Sequence, residues 1–275
     1  MNAFSYRVQT LQPSAIREIL KFTADPEVIS FAAGNPAPEA FPTEEIARIT
    51  NEILTTTPID ALQYSITEGY TPLRNWIKDD LKKKGMFNEN DEDVVITSGA
   101  QQAIEVVTKE ICNEGDTIIC EAPTFIGSLN AFRSYNAKLV GVEMEDDGIN
   151  IDKLEKALIE NPRTAFIYLI PNFQNPTGKT MSLEKRKAVL ALAQKYNVYI
   201  LEDNPYGDLR YIGENVPTIK SLDKNGNVLY AGTFSKTLAP GLRVGYLCAP
   251  KNVIAKAVVC LLYTSDAADD GESVD

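Results

Sequence analysis

Lys236 follows the apolar run Val228, Leu229, Tyr230 and Ala231 and precedes Pro240 and Gly241, so it falls where a strand ends and a turn begins. At such a strand end an amine faces a ligand. Arg243, a short way downstream, adds a permanent cation with a bidentate fork, suited to a phosphate held near the lysine. One amine to react and one guanidinium to anchor suggest a phosphorylated carbonyl compound. A lone lysine in a polar loop is ordinarily only solvated, so the surrounding segment has to carry the argument.

The chain has 275 residues and no histidine. That removes serine–histidine and histidine–metal chemistry and leaves acid–base work to lysine, tyrosine or carboxylates. A lysine whose pKa is lowered by cationic surroundings can do it. The net charge of -11 argues against an electrostatic nucleic-acid binder. No apolar run reaches membrane-spanning length and the amino terminus lacks a secretory core, so a cytoplasmic protein with neither membrane nor nucleic-acid partner is expected. Cys112, Cys120, Cys248 and Cys260 lack paired metal spacing, which favours free thiols and no metal site.

These side chains need a scaffold. From Asp93 onward, apolar runs of strand length alternate with amphipathic helices, the pattern of an α/β fold whose mostly parallel sheet is sandwiched by helices. Strands are expected over 94–97, 117–120, 138–142, 165–170, 198–201, 228–231 and 244–247, and helices over 101–111 and 182–196. Upstream, a short helical pattern covers 14–22. Thr43 reads as an N-cap ahead of Glu44 and Glu45. Leu73, Trp76, Ile77 and Leu81 form a core stripe.

In such a sheet the ligand lies beyond the carboxyl ends of the strands. Gly99, Ala100 and Gln101 follow the first strand and open a helix whose N–H groups could cradle an anion, although taken alone they are better explained by a plain strand-to-helix turn. Phe125 follows the second and could stack on a flat heteroaromatic ring. Asn175 lies in Asn172-Phe173-Gln174-Asn175-Pro176-Thr177-Gly178, which a turn alone would account for. Asp203 ends a buried strand, where an unpaired charge is costly and calls for a cationic partner; an N-cap or turn role is the alternative.

The segment Ser235-Lys236-Thr237-Leu238-Ala239-Pro240-Gly241-Leu242-Arg243-Val244-Gly245-Tyr246 closely resembles the Schiff-base segment of class I/II aminotransferases, the fold-type-I enzymes that use pyridoxal 5'-phosphate (PLP). Phe173-Gln174-Asn175-Pro176-Thr177-Gly178 resembles the branch containing 2-aminoadipate and kynurenine aminotransferases. The resemblance implies that Lys236 holds PLP as an imine and acts as general base and then acid, with Ser235 and Arg243 beside the phosphate. It implies that Asp203 pairs with the pyridine nitrogen and that Asn175 and Tyr206 bond the phenolic oxygen. It further implies that Gly99, Ala100 and Gln101 cradle the phosphate, and that Phe125 stands where relatives often carry tyrosine. Gly34, in Gly34-Asn35-Pro36, matches a loop beside the substrate carboxylate, although a surface linker reads equally well. Tyr64 matches a tyrosine that reaches the phosphate of a partner subunit, hence a homodimer with shared sites; a buried tyrosine with one hydrogen bond is the other reading.

The implied reaction passes an amino group from an L-amino acid (2-aminoadipate, aromatic or broad) to a 2-oxo acid such as 2-oxoglutarate. Other PLP chemistry, such as a lyase or decarboxylase, and the ligand-sensing domain of a transcription regulator stay open. The expected organisation is an arm over 1–42, a PLP-binding large domain over 43–250 and the start of a helix over 251–259. Residues 260–275 contain Asp266, Asp269, Asp270, Glu272 and Asp275 but no lysine or arginine; an acidic solvated tail is one explanation, and the preferred one is that they are non-native, because they resemble translated adapter sequence. The small carboxy-terminal domain of the family, with the arginine that clamps the substrate α-carboxylate, is expected to be largely missing and the fragment itself inactive.

Overall fold

A computed structural model of the chain describes residues 5, 27–29 and 36–265. Gly34, the helical pattern over 14–22 and the acidic residues after 265 lie outside them. The sheet is built from β1 (Glu92–Thr97), β2 (Thr117–Ala122), β3 (Lys138–Glu145), β4 (Gly148–Ile149), β5 (Thr164–Leu169), β6 (Tyr199–Asp203), β7 (Val228–Thr233) and β8 (Gly245–Pro250). Its order is β1-β8-β7-β6-β5-β2-β3-β4. The neighbours from β7 through β3 pair in parallel, whereas β8 runs antiparallel to both β1 and β7, and β4 antiparallel to β3.

Alternation along the central strands sends successive side chains to opposite faces. Ile118, Phe166, Tyr168, Leu201, Leu229 and Ala231 pack on one side; Ile119, Ile167, Leu169, Ile200 and Val228 pack on the other. Helices cover both faces, as an all-buried parallel sheet requires. The helices are α1 (Thr43–Thr56), α2 (Pro58–Leu62), α3 (Thr71–Lys83), α4 (Ala100–Ile111), α5 (Ile126–Ser134), α6 (Ile151–Glu160), α7 (Leu183–Tyr196), α8 (Ile219–Leu222) and α9 (Lys251–Ser265). α4, α5 and α9 close the first face, through residues such as Val107, Phe132 and Ala257; α6, α7 and α8 close the second through Leu154, Val189 and Ile219. α3 joins a smaller cluster with Val94 and Cys248.

Each expected strand is present, with no end moved by more than three residues, and β4 is an addition too short to leave a pattern. Three local readings change. Thr43 is the first helical residue of α1, and the N-cap is Pro42, which has no side-chain acceptor to offer. Trp76 is 57% exposed whereas Ile77 and Leu81 are buried, so the core stripe of α3 is narrower than its apolar residues suggested. α9 continues through position 260, and Leu261 is buried in the main core. Among the described residues no helix is long and apolar enough to cross a membrane.

Candidate functional site

Because β1, β7, β6, β5, β2 and β3 all point the same way, their carboxyl ends share one rim, and the loops carrying the sequence candidates lie on it. Asp203, the last residue of β6, is on the same face as Leu201 and Tyr168 and is only 4% exposed. Its Oδ2 accepts a 2.7 Å hydrogen bond from the Tyr168 hydroxyl, which in turn accepts one from Ser128 Oγ at 2.8 Å. Its Oδ1 is buried and has no partner among the described residues. Burial pushes the carboxyl up to about 6, opposed by the Tyr168 bond. A buried polar atom left without a partner costs about 1–3 kcal/mol. No local turn or N-cap bond satisfies this oxygen among the described residues. Among the described residues no cation stands beside Asp203; its polar neighbour is a phenol.

The loop after β5 carries Asn175, whose Nδ2 donates to Tyr206 Oη at 3.4 Å, joining the ends of β5 and β6. Burial raises the Tyr206 phenol above its ordinary pKa, and the Asn175 bond opposes the shift. Gln174 anchors the same loop: its Nε2 donates to Pro123 O and Glu121 Oε2, and its Oε1 accepts from Thr177 N and Oγ1. Glu121, 2% exposed at the end of β2, is pushed up to about 8, chiefly by burial.

The anion-binding candidates converge from three segments. Gly99 is the N-cap of α4 at φ 79, ψ 167, a backbone state that glycine adopts readily. Among the described residues no protein acceptor meets the N–H groups of Ala100 and Gln101, which open the helix. A Cβ on Gly99 would overlap the Arg243 guanidinium, whose Nη2 donates to Ser98 O at 3.0 Å. Arg243 itself is left-handed at φ 54, a conformation that costs a non-glycine residue about 1–2 kcal/mol. Ser235 Oγ meets Thr233 Oγ1 at 3.0 Å, fixing the start of the turn. Lys236 is half-buried in that turn between β7 and Pro240, and its amine has no ion pair or hydrogen bond among the described residues.

Phe125 caps α5 from its amino end, half-buried against the main core, with its ring over Gly127; Gln101 Nε2 donates to Gly127 O at 3.2 Å. Tyr64 is 71% exposed, which removes the reading of a buried tyrosine. A cleft of about 280 Å³ lined by Ser65, Ile96, Ser98, Gln102 and Leu261 adjoins the α4 end without including Lys236 or Asp203. Tyr168, Ser128 and Gln174 were not singled out from the sequence. Tyr168 had left one signal, a phenol inside an apolar central strand that must find a hydrogen-bond partner.

Comparison with known proteins gives one consistent answer. A family model described as aminotransferase class I and II matches residues 26–260. An aromatic-amino-acid aminotransferase 1 of Thermococcus litoralis is 44% identical over 92% of the chain and 62% of its own length. A 2-aminoadipate transaminase of Thermus thermophilus is 40% identical over 93% and 64%. The crystal structure of a kynurenine aminotransferase of Pyrococcus horikoshii, in complex with PMP, superposes with a TM-score of 0.91 at 38% identity, covering 96% of the chain and 66% of that protein. The chain thus spans a little under two thirds of these relatives.

Proposed function

The chain belongs to the class I and II aminotransferases, and from that membership we propose that it binds PLP on this rim and takes part in moving an amino group between an amino acid and a 2-oxo acid. Bound PLP supplies an electron sink that stabilises negative charge at the amino acid α-carbon. The residues fit such a group. Asp203 Oδ1, buried and lacking an acceptor's partner, suits a protonated pyridine nitrogen; this is the observation that carries the proposal. Asn175 and Tyr206 offer donors for a phenolic oxygen. The orphan N–H groups of α4, with Gly99, Ala100, Gln101, Ser235 and Arg243, suit a phosphate. Phe125 offers a ring face.

Lys236 Nζ is the group we assign to proton transfer: it takes the α-proton from the amino acid and returns it, work that a chain without histidine gives to an amine. Gly34 and Asn175 are assigned to the substrate carboxylate end. Tyr64, exposed in this chain, is assigned to the phosphate site of a second copy. The names of the relatives support 2-aminoadipate or an aromatic amino acid as donor, and the family resemblance suggests a 2-oxo acid such as 2-oxoglutarate as acceptor.

The test is the visible absorption of the chain with PLP, before and after 2-aminoadipate, beside Lys236→Ala. A band that needs Lys236 and changes with the amino acid is expected. The same band in Lys236→Ala would overturn the assignment.

A further inference from the structure

Arg186, in the first turn of α7, is 0% exposed, and the mechanism above makes no use of it. Ser182 fixes its place by capping the helix through Lys185 N, while Arg186 N donates to Ser182 O. A cation at a helix amino end is disfavoured by the macrodipole, and burial holds its pKa below the ordinary guanidinium value. Something must compensate. Nε donates to Met181 O at 3.0 Å, Nη1 to Val216 O and Pro217 O at 3.3 and 3.1 Å, and Nη2 to Pro171 O at 3.0 Å and Asn172 Oδ1 at 2.7 Å. The guanidinium therefore fastens segments on both sides of the loop after β5 and the segment before α8.

The bond to Asn172 continues further. Asn172 Nδ2 donates to Asn204 Oδ1 at 2.8 Å, and Asn204 Nδ2 donates to the Tyr230 hydroxyl at 2.8 Å. Asn204 directly follows Asp203, and Tyr230 lies in β7, which leads to Lys236. One polar chain, buried at Arg186, Asn172 and Tyr230 and half-buried at Asn204, thus runs from α7 past the ends of β5 and β6 into β7. We propose that Arg186 and Asn172 form a clamp that keeps the Asn175 loop and the Asp203 end facing the same space, so that they are positioning residues for the PLP site without touching it. This rests on the PLP reading above, but the clamp itself can be tested without PLP.

The experiment compares the full chain with Asn172→Ala, Arg186→Lys and, as a control for stability alone, Leu158→Ala, whose side chain packs beneath α6 on the second face. Amide hydrogen exchange of the chain without PLP is read over 171–178 and 203–207, and PLP affinity is read by absorbance titration. Asn172→Ala should speed exchange in both segments and weaken PLP binding by about tenfold, the equivalent of one lost buried hydrogen bond. Arg186→Lys, which keeps the charge and loses the fork, should fall between it and the parent chain. Faster exchange over 171–178 alone would overturn the clamp. So would a loss of PLP affinity no larger than in Leu158→Ala. If the parent chain binds no PLP, the PLP reading fails and the exchange result still decides the clamp.

Discussion

The Tyr168 hydroxyl and Asp203 Oδ2 stand 2.7 Å apart in a fully buried pair that leaves the second carboxylate oxygen of Asp203 without a partner. The phenol holds one carboxyl oxygen and leaves the other buried and free. Tyr168→Phe should therefore weaken PLP binding by about tenfold while lowering stability by about 1–2 kcal/mol, the range for a lost buried hydrogen bond. Absorbance titration and urea unfolding give the two numbers separately. Unchanged PLP affinity would show that the phenol only fills the core.

Asp203 and Glu121 both have pKa values raised by burial, to about 6 and about 8. A folded-state pKa above the unfolded one means that the folded chain holds the proton longer, so its contribution to stability is present at low pH and lost as pH rises through the folded value. For Asp203 the loss amounts to roughly 3 kcal/mol between about pH 4 and pH 6. The chain without PLP should show a shallower decline from pH 5 to pH 8 in Asp203→Asn, and a shallower one still in Asp203→Asn/Glu121→Gln. Urea midpoints at each pH measure this. Parallel curves for all three chains would contradict the assigned shifts.

Gly99 and Gly115 share φ 79, but only Gly99 faces a neighbour, the Arg243 guanidinium, that an added Cβ would strike; around Gly115 nothing lies within 4 Å. Gly115→Ala should carry the backbone strain alone, about 1 kcal/mol. Gly99→Ala should carry the same strain and also displace Arg243, with PLP affinity falling by about tenfold or more. The titration of both variants separates strain from displacement.

α1 buries none of its residues, and Ile49, Ile53 and Leu54 are exposed beside Ile59 and Leu62 of α2. A surface of this kind favours association. If the chain pairs with a second copy as Tyr64 was assigned to do, Ile53→Glu/Leu54→Glu should shift it to monomer in sedimentation velocity while the fold, read by circular dichroism, is kept. A monomeric parent chain would refute the pairing.

The sheet was legible because its strands are buried on both faces and read as near-continuous apolar runs. The residues at the strand ends were legible because glycine, proline and a buried acid have few reasons to stand there. What escaped has a physical cause in each case. Tyr168 and Gln174 act through partners distant in sequence, which no local pattern records. Arg186 takes an apolar position in a row with Val189, Leu190 and Ala193, a spacing that a pattern of hydrophobic residues passes over. Trp76 was misjudged because apolar spacing shows which face a residue is on, not how far the neighbouring segments extend over it.

The antiparallel strand β8 sits between β1 and β7, and Arg243 meets Ser98 across 145 positions of sequence. During synthesis on the ribosome β2 through β7 can pair early, but β1, whose sheet neighbour is β8, brings the Ser98–Gly99 side of the proposed phosphate site into place only when β8 is inserted. Competence to hold PLP should therefore appear late and in one step, when the last strand enters. Stalled nascent chains ending before β8 would carry Asp203, Asn175, Lys236 and even Arg243, and still lack the strand that brings Arg243 against Ser98 at the proposed phosphate site.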